Sequence, residues 1–306
     1  MTRLYGRLAI VLASVPLLAE TTVAYETDQY SHRFTPIADC TAVLDREVNA
    51  EIARVAAEWR GGESRARFAR RVWRRLGGLH WVDRIERFAM RSAEVEKLPQ
   101  FRRQSIFAGA PLRATRVNFV FGVGRTIRLG GSLLGSDKLG HFFSQGLKYW
   151  RSHRAGWSDE RVAGRGRFNE RWIFGQLTTS VYSNADLVAN WEGYLFYRGL
   201  FEDGVVAGKP ALVRFENGRA TLQRPFTWTD HVNDYWDEAL NPSHWSPTLA
   251  RALRPRLERL CDDGPTDDSH WVSPHESELA ARYQGLGLRQ DLDWRLDTVC
   301  RSERVR

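Results

Sequence analysis

The chain has 306 residues, of which 45 are lysine or arginine and 37 are aspartate or glutamate, so its formal net charge is +8. This length is enough to bury a sizeable core in one large domain or two small ones. A positive surface attracts polyanions such as nucleic acid, anionic lipid or an anionic cell wall. No segment after residue 24 approaches the ~20 apolar residues of a transmembrane helix, so we expect no stable membrane insertion.

The N-terminus has the pattern of a secretory signal peptide. Arg3 and Arg7 precede the apolar run 8–18, which is too short to span a bilayer of ~30 Å, and small residues follow as cleavage points. We expect residues 1–24 to be removed and residues 25–306 to form a single, mainly helical domain that is secreted or periplasmic. Export argues against nucleic acid as a partner and against ATP or nicotinamide cofactors. The cell wall is then the natural polyanion.

Cys40, Cys261 and Cys300 are the three cysteines of the chain. An oxidising compartment favours one disulfide and one remaining thiol. Connectivity does not follow from sequence, but Cys261 and Cys300 both lie in the C-terminal third. We therefore predict that these two residues pair.

Apolar residues recur at helical spacing in the first third of the chain and predict helices at 41–59, 64–76 and 80–93. The second helix carries arginines on all sides, which is more typical of a solvated face than of a binding site. Binding of an anionic polymer or a membrane surface by this helix is the weakest of three hypotheses on function. Alternating apolar residues and then glycines predict irregular or extended structure over 110–135.

The middle of the chain predicts two helices, a turn and a third helix. The first helix runs from Ser136 to about Arg154, and the second runs from Ser158 to the region 170–174. The segment 175–183, rich in Gly, Thr and Ser, predicts a turn or a short hairpin. The segment 183–186 is a capping box and opens a helix that extends to about residue 201.

The C-terminal third predicts one hairpin and three helices. The dipeptide Asn217-Gly218 between two β-prone runs is a strong hairpin signal. Helices are predicted at 229–240, 247–261 and 274–284, the last of them with a second capping box. The fold class is therefore mainly α (α+β), with a small β-hairpin and a helical C-terminal extension.

Residues that a helix does not need for its stability concentrate in 136–199. Glu170 lies near a predicted helix end among aromatic residues, which would raise the pKa of its carboxyl toward that of a general acid. The structural alternative is an exposed glutamate paired with Arg167 or Arg171. Asp186 has a capping role of its own. A glutamate, a small polar hairpin and a helix that opens with an aspartate nevertheless resemble lysozyme-type sites, in which two carboxylates lie on opposite walls of a sugar cleft.

Glu170 followed by Gly175, Thr178-Thr179-Ser180 and Tyr182-Ser183 resembles the lysozyme superfamily, whose catalytic glutamate precedes a hairpin rich in Gly, Thr and Ser. More narrowly, KLGHFFSQG at 138–146 with TTSVYSNADLVANWEGYLFY at 178–197 resembles the exported deacetylated-peptidoglycan lysozymes of predatory bacteria. The resemblance implies a lysozyme-like helical domain with Glu170 as the general acid. Asp186, or Ser183 or Thr179 positioning a water, would act on the opposite face of the sugar. Ser180 stands where the family has glycine.

The predicted substrate-binding residues surround these carboxylates and are Thr179, Tyr182, Asn190 and His141. Tyr182, with Trp191 and Trp245, offers a flat face for a sugar ring. Asn190 shares a helix face with Asp186 and Gly193. Gly193 has no side chain and therefore permits close contact between helices.

His141 lies one helical turn after Asp137, and a structural role for its imidazole, fixed by Asp137 or a backbone carbonyl, is favoured over direct chemistry. A metal site needs a third ligand, and the sequence has no HExxH or Cys/His spacing. We therefore expect neither a metal nor another cofactor.

These patterns favour an exported glycoside hydrolase that cleaves peptidoglycan and acts as a monomer. Acidic groups at the cleft, Glu170, Asp186 and Glu192, would suit deacetylated strands, whose amino sugars carry ammonium groups. The alternative is a non-enzymatic periplasmic envelope protein, because Asp137-Lys138-Leu139-Gly140-His141-Phe142 also resembles the DKxxHF signature of VanZ-like and YfiM-like proteins. The setting of Glu170 discriminates: a glutamate that faces Asp186 favours the enzyme, and one paired with arginine on an open surface favours the alternative.

Overall fold

The computed structural model describes residues 26–78, 82–98, 101–111, 114, 123–172, 175–263 and 270–304. The predicted signal peptide and most of the alternating run 117–123 lie outside the described residues. Within them, no helix is long and apolar enough to cross a membrane.

The described chain is mainly α-helical, with small antiparallel strand pairs, as the sequence predicts. The helices of the first two thirds are α1 (Thr41–Ala57), α2 (Arg65–Leu76), α3 (Arg84–Arg91), α4 (residues 137–154), α5 (Asp159–Trp172), the single turn α6 (Gln176–Thr179) and α7 (Asn184–Gly199). The C-terminal extension adds α8 (Pro247–Asp263), α9 (Glu276–Arg282) and α10 (Leu296–Arg304).

Two of the three strand pairs within the described residues are hairpins. Strands β1 (Thr126–Leu129) and β2 (Ser132–Gly135) pair with Thr126 opposite Gly135, within the segment predicted to be irregular or extended. Strands β4 (Val213–Glu216) and β5 (Arg219–Leu222) are joined by Asn217-Gly218. Both turn residues have positive φ, 49° and 72°, which is the conformation that a two-residue hairpin turn requires. The hairpin prediction there is confirmed.

The segment 175–183 does not form a hairpin of its own. It makes the turn α6, and strand β3 (Val181–Tyr182) then pairs with the distant strand β6 (His244–Trp245). Ser180, which stands where the resembled family has glycine, has φ of 70°, the left-handed region that glycine occupies most easily. The backbone of Ser180 is therefore left-handed without a glycine, and the strand that pairs with Val181–Tyr182 comes from another part of the chain.

The predicted helix 229–240 was wrong. This segment contains two short 3₁₀ turns, Trp228–Asp230 and Asp234–Trp236, separated by extended residues. The side chain of Asn233 accepts a hydrogen bond from the backbone N–H of Tyr235 at 3.1 Å. Such local hydrogen bonds compete with a continuous helix.

Helices α4 and α7 form the centre of the larger core. A Cβ atom at Gly146 would lie 2.4 Å from the backbone of Gly193, and one at Gly193 would lie 1.9 Å from Phe142 O. The helices therefore touch backbone to backbone, as predicted for Gly193. Within α4, residues His141–Gln145 form a π-helical turn, and Phe143 O accepts a hydrogen bond from Tyr197 Oη at 3.0 Å. Turns of this kind occur frequently at functional sites.

The described residues contain two large apolar clusters. The first joins α1, α2, α4 and α7, and Leu44, Val48, Ile52 and Val55 of α1 are buried in it at the predicted spacing. The second contains residues of α8 and α10 together with Ile106, Phe107, Ala110, Ala114 and Trp245. Cys261 and Cys300 form a disulfide and Cys40 is a buried thiol, so the predicted pairing is confirmed.

Three of the six arginines of α2, Arg67, Arg71 and Arg75, pair with nearby acidic residues. Arg71 contacts Glu63 at 3.0 Å, and Arg75 contacts Glu58 at 2.5 Å. Exposed pairs of this kind contribute roughly 0–1 kcal/mol each. They agree with the interpretation of this helix as a solvated structural face.

Candidate active site

Glu170 lies near the C-terminal end of α5, and only 5% of its surface is exposed. The backbone N–H of Ser183 donates a hydrogen bond to Glu170 Oε1 at 3.1 Å. Gly175 permits this arrangement, because a Cβ atom there would lie 2.3 Å from Glu170 Oε1. Arg167 donates instead to a backbone carbonyl and Arg171 stacks on its neighbour Trp172. The alternative of an exposed glutamate paired with arginine does not hold.

The surroundings of Glu170 raise the pKa of its carboxyl well above the usual value. Burial is the largest cause, and the charges of Asp186 and Glu26 add to it, whereas the Ser183 hydrogen bond and Lys138 act against it. A carboxyl group in such a place keeps its proton to a higher pH than an exposed glutamate does. It is therefore able to donate a proton as a general acid.

Asp186 lies in the first turn of α7, where its backbone N–H donates to Ser183 Oγ at 3.1 Å, the predicted capping bond. Its carboxylate oxygens contact Lys138 Nζ at 2.6 Å and His141 Nε2 at 3.2 Å. Burial alone would raise the pKa of Asp186, but the charges of His141 and Lys138, with a hydrogen bond from Lys138, outweigh burial and lower it. Asp186 is therefore ionised under conditions in which Glu170 is protonated.

Lys138 supplies the positive charge of the cluster and is only 1% exposed. Its Nζ lies 2.8 Å from Asp137, 2.6 Å from Asp186 and 2.8 Å from Glu238. Burial would lower the pKa of Lys138, but these three carboxylates outweigh burial and raise it well above the usual value. The ammonium group stays charged, since its carboxylate partners offset the cost of burying it.

Two further carboxyl groups come from distant parts of the chain. Glu238 Oε1 accepts a hydrogen bond from Ser183 Oγ at 3.0 Å in addition to its contact with Lys138. Burial, opposed by Lys138 and reinforced by Asp186, raises the pKa of Glu238 to about 7. Burial and the charges of Glu238 and Asp186 raise the pKa of Glu26 to about 8. We call the set Glu26, Asp137, Lys138, Glu170, Asp186 and Glu238 the carboxylate cluster.

His141 is held by two residues of α7. Its Nδ1 lies 3.0 Å from Asn190 Oδ1, while Nε2 faces Asp186. Because an amide oxygen only accepts, Nδ1 carries a proton in this arrangement. Asn190 also hydrogen bonds with Tyr149. The imidazole is thus fixed by Asp186 and Asn190, and not by Asp137 or a backbone carbonyl as the sequence suggested.

Asp137, His141 and Asp186 each offer a ligand atom within 4.8 Å of the others. The third metal ligand that the sequence lacked is therefore supplied by the fold. Lys138 Nζ, however, contacts both carboxylates, so a divalent cation would share their oxygens with an ammonium group. This geometry favours the lysine as the resident positive charge.

The remaining predicted residues have structural contacts. Thr179 Oγ1 donates to Gly175 O at 3.2 Å, and the Ser183 hydroxyl donates to Glu238 while it accepts from Asp186. Tyr182 is buried, and its hydroxyl donates to a backbone carbonyl. Its ring therefore presents no open face to a sugar.

Aromatic side chains that are open to solvent lie elsewhere. Trp245 is buried, and Trp191 packs partly buried against the first apolar cluster. Phe168 and Trp172 of α5 are 57% and 50% exposed, one helical turn apart. Glu192, predicted at the cleft, is fully buried and is bonded to the Arg282, Tyr283 and His231 side chains. It belongs to a structural network and not to the carboxylate cluster.

Sequence reasoning missed Lys138, Glu238 and Glu26 as members of the cluster. For Lys138 a signal exists, because it stands among the apolar residues of the DKxxHF motif, where a lysine needs a partner once buried. Glu238 and Glu26 carry no local signal. Glu238 lies in the segment 229–240, whose helix was wrongly predicted, and Glu26 begins the described chain. Both reach the site only through tertiary folding.

Comparison with protein-family models, with curated proteins and with solved structures finds no match.

Proposed function

We propose that the chain is a glycoside hydrolase that cleaves peptidoglycan by carboxylate general acid catalysis. One observation carries this proposal: Glu170 and Asp186 are neighbours whose surroundings move their pKa values in opposite directions. Such a divergence assigns acid and base roles in carboxylate enzymes.

In the proposed reaction, Glu170 protonates the glycosidic oxygen as the leaving sugar departs. Ionised Asp186 stabilises the positive charge that develops on the sugar ring, or activates the water that attacks it. Lys138 and His141 keep Asp186 ionised while this happens. Ser183 links the two residues, because its N–H donates to the Glu170 carboxyl and its hydroxyl accepts from the backbone N–H of Asp186.

The carboxyl oxygens of the carboxylate cluster support a preference for deacetylated glycan strands. Three carboxyl groups contact Lys138, and Glu26 and Glu170 lie near them. Removal of acetyl groups leaves ammonium groups on the amino sugars, and these donate hydrogen bonds to carboxyl oxygens. An acetylated strand lacks this interaction.

The non-enzymatic alternative rests on the DKxxHF motif. Its Asp137, Lys138 and His141 contact one another or Asp186, and Phe142 is buried in the core, so the motif builds the site in either case. The setting of Glu170 favours the enzyme, because this glutamate is buried, unpaired with arginine and influenced by Asp186.

The test is turbidity clearing of purified peptidoglycan, native and chemically deacetylated. We expect wild type to clear the deacetylated wall faster, and Glu170→Gln to lose at least about a hundredfold of the rate, the usual contribution of a general acid. Glu160→Gln is the matched control, because Glu160 is exposed on the same helix. Failure of wild type to clear either wall, or undiminished clearing by Glu170→Gln, would overturn the proposal.

A further inference from the structure

A cavity of about 620 Å³ lies between the segment 30–35, the turn 104–106, helix α8 and Trp271. None of its lining residues belongs to the carboxylate cluster, so it is a separate feature of the molecule. Its volume is in the range of small-molecule sites.

Three arginines line this cavity, and two of them are uncompensated. Arg33 is paired with Asp237 at 2.6 Å. Arg256 and Arg259 stand one helical turn apart on α8 and have no hydrogen-bond or ion-pair partner among the described residues. Glu258, between them in sequence, pairs with Arg254 instead. Two like charges that face one cavity repel each other until an anion joins them.

The acidic groups beside the cavity are already neutralised or bound. Asp237 is held by Arg33, and buried Asp28 accepts hydrogen bonds from the backbone N–H groups of Tyr30, Ser31 and Ile106. These bonds hold the segment that forms the cavity wall. The net charge that the described lining presents is therefore that of Arg256 and Arg259.

The wall also has an apolar part. Phe34 is 44% exposed and packs edge-on against Trp271 at 5.0 Å. Next to it, His32 has φ of 58°, a left-handed conformation that non-glycine residues adopt at some energetic cost. Backbone strain of this kind concentrates at ligand-binding and active sites.

We propose that this cavity binds a phosphate monoester with an apolar or aromatic substituent. Planar guanidinium groups match phosphate oxygens with paired hydrogen bonds. A phosphate monoester carries about −1.5 to −2 charges near pH 7, which balances two arginines, whereas a carboxylate balances one. The exposed ring of Phe34 supplies the contact for the substituent.

The test uses the full chain and measures binding of phenyl phosphate by calorimetry, with benzoate as the monoanionic probe. Vesicles of phosphatidic acid, compared with phosphatidylcholine, present the same phosphate monoester on a lipid. The variants are Arg256→Gln and Arg259→Gln. Arg251→Gln is the matched control, because Arg251 is exposed on the same helix but does not line the cavity.

We expect saturable binding of phenyl phosphate that each cavity variant weakens by about tenfold or more, as expected for loss of a charged hydrogen bond, while Arg251→Gln leaves it unchanged. The same pattern with phosphatidic acid vesicles alone would support the site and identify a lipid headgroup as the source. No saturable binding of either probe, equal weakening by Arg251→Gln, or equally tight binding of benzoate would each overturn the proposal. Thermal melts confirm that the variants fold.

Discussion

At the scale of single residues, the buried ammonium of Lys138 determines how the carboxylate cluster is charged. It contacts Asp137, Asp186 and Glu238, and it allows Asp186 to remain ionised in a buried place. His141 adds a second contact to Asp186 from the solvent side, with 24% of its side chain exposed. Glu170, the proposed acid, has no ion pair with these cations, and burial is the largest cause of the raised pKa of its carboxyl.

We expect His141→Gln to move the acidic limb of the pH–activity profile to higher pH. Asp186 must be ionised, and its lowered pKa keeps activity present until the pH falls through that value. Loss of the charge of His141 raises the pKa of Asp186, so activity is lost at a higher pH, by about one unit for a close opposite charge. The measurement is kcat/KM for wall clearing from pH 3 to 8.

The control for this variant is His153→Gln, which removes a partly exposed histidine that pairs with Asp159 away from the cluster. It should leave the acidic limb in place. A profile of His141→Gln that falls uniformly at all pH values would contradict an electrostatic role for the imidazole.

We expect exhaustive dialysis against a chelator to leave the wall-clearing rate unchanged. The reason is that Lys138 already supplies the positive charge between Asp137 and Asp186. The measurement is the wall-clearing rate before chelation, after chelation and after addition of Zn²⁺. Loss of activity that Zn²⁺ restores would instead assign a metal to Asp137, His141 and Asp186.

At the scale of elements, the site depends on the close packing of α4 against α7. Helix α4 provides Asp137, Lys138 and His141, and α7 provides Asp186 and Asn190. The two helices approach at Gly146 and Gly193, where no side chain separates their backbones. The distance between these helices therefore sets the geometry of every bond between Lys138 or His141 and α7.

We expect Gly193→Ala to destabilise the fold and to lower activity even at temperatures at which the variant is folded. The added Cβ atom would lie 1.9 Å from Phe142 O, so the helices must separate. Overpacking of this kind costs about 1–3 kcal/mol of unfolding free energy. We expect a cost at or above the upper end of this range, because the new Cβ atom meets backbone, which cannot rotate away as a side chain can. Urea denaturation and wall clearing measure the two effects.

Gly199→Ala on the same helix is the matched control, because its Cβ atom would meet Val205 at an ordinary 3.8 Å. Its free energy of unfolding should stay within about 1 kcal/mol of wild type. If both alanine variants behave alike, close helix contact is not what positions the site.

At the scale of the whole molecule, the C-terminal extension is joined to the rest by covalent and polar links. The disulfide Cys261–Cys300 connects α8 to α10 within the second apolar cluster. In α9 and just after it, Arg282 and Tyr283 reach Glu192 of α7, and His231 completes this buried network. The extension thereby supports the helix that carries Asp186.

We expect the double variant Cys261→Ser, Cys300→Ser to lose about 3–4 kcal/mol of unfolding free energy. The two cysteines are 39 residues apart, and a bridge of that span restricts the unfolded chain by this amount. Denaturant unfolding with and without reductant makes the comparison. Reductant should lower the unfolding free energy of wild type to that of the double variant. It should leave the unfolding free energy of the double variant unchanged. A wild type that does not respond to reductant would contradict this role for the bridge.

The sequence by itself determined the elements whose signals are local. Helical spacing located α1 and α2, and helix-start signals located α5 and α8. Asn217-Gly218 determined a hairpin, and Ser183 with Asp186 determined the start of α7. Each of these signals depends on contacts within a few residues, which spacing alone encodes. The predicted roles of Glu170 and Asp186 arose from the same stretch of chain and from a family resemblance.

Only the tertiary structure decided which charged side chains of these elements contact one another. Lys138, Asp186 and Glu238 are far apart in sequence, and burial turns their contact into opposite pKa shifts for neighbouring carboxyls. The strand partner of Val181–Tyr182 and the partners of His141 were decided in the same way. The physical reason is that burial and long-range pairing belong to the packed chain and leave no periodic mark on the sequence.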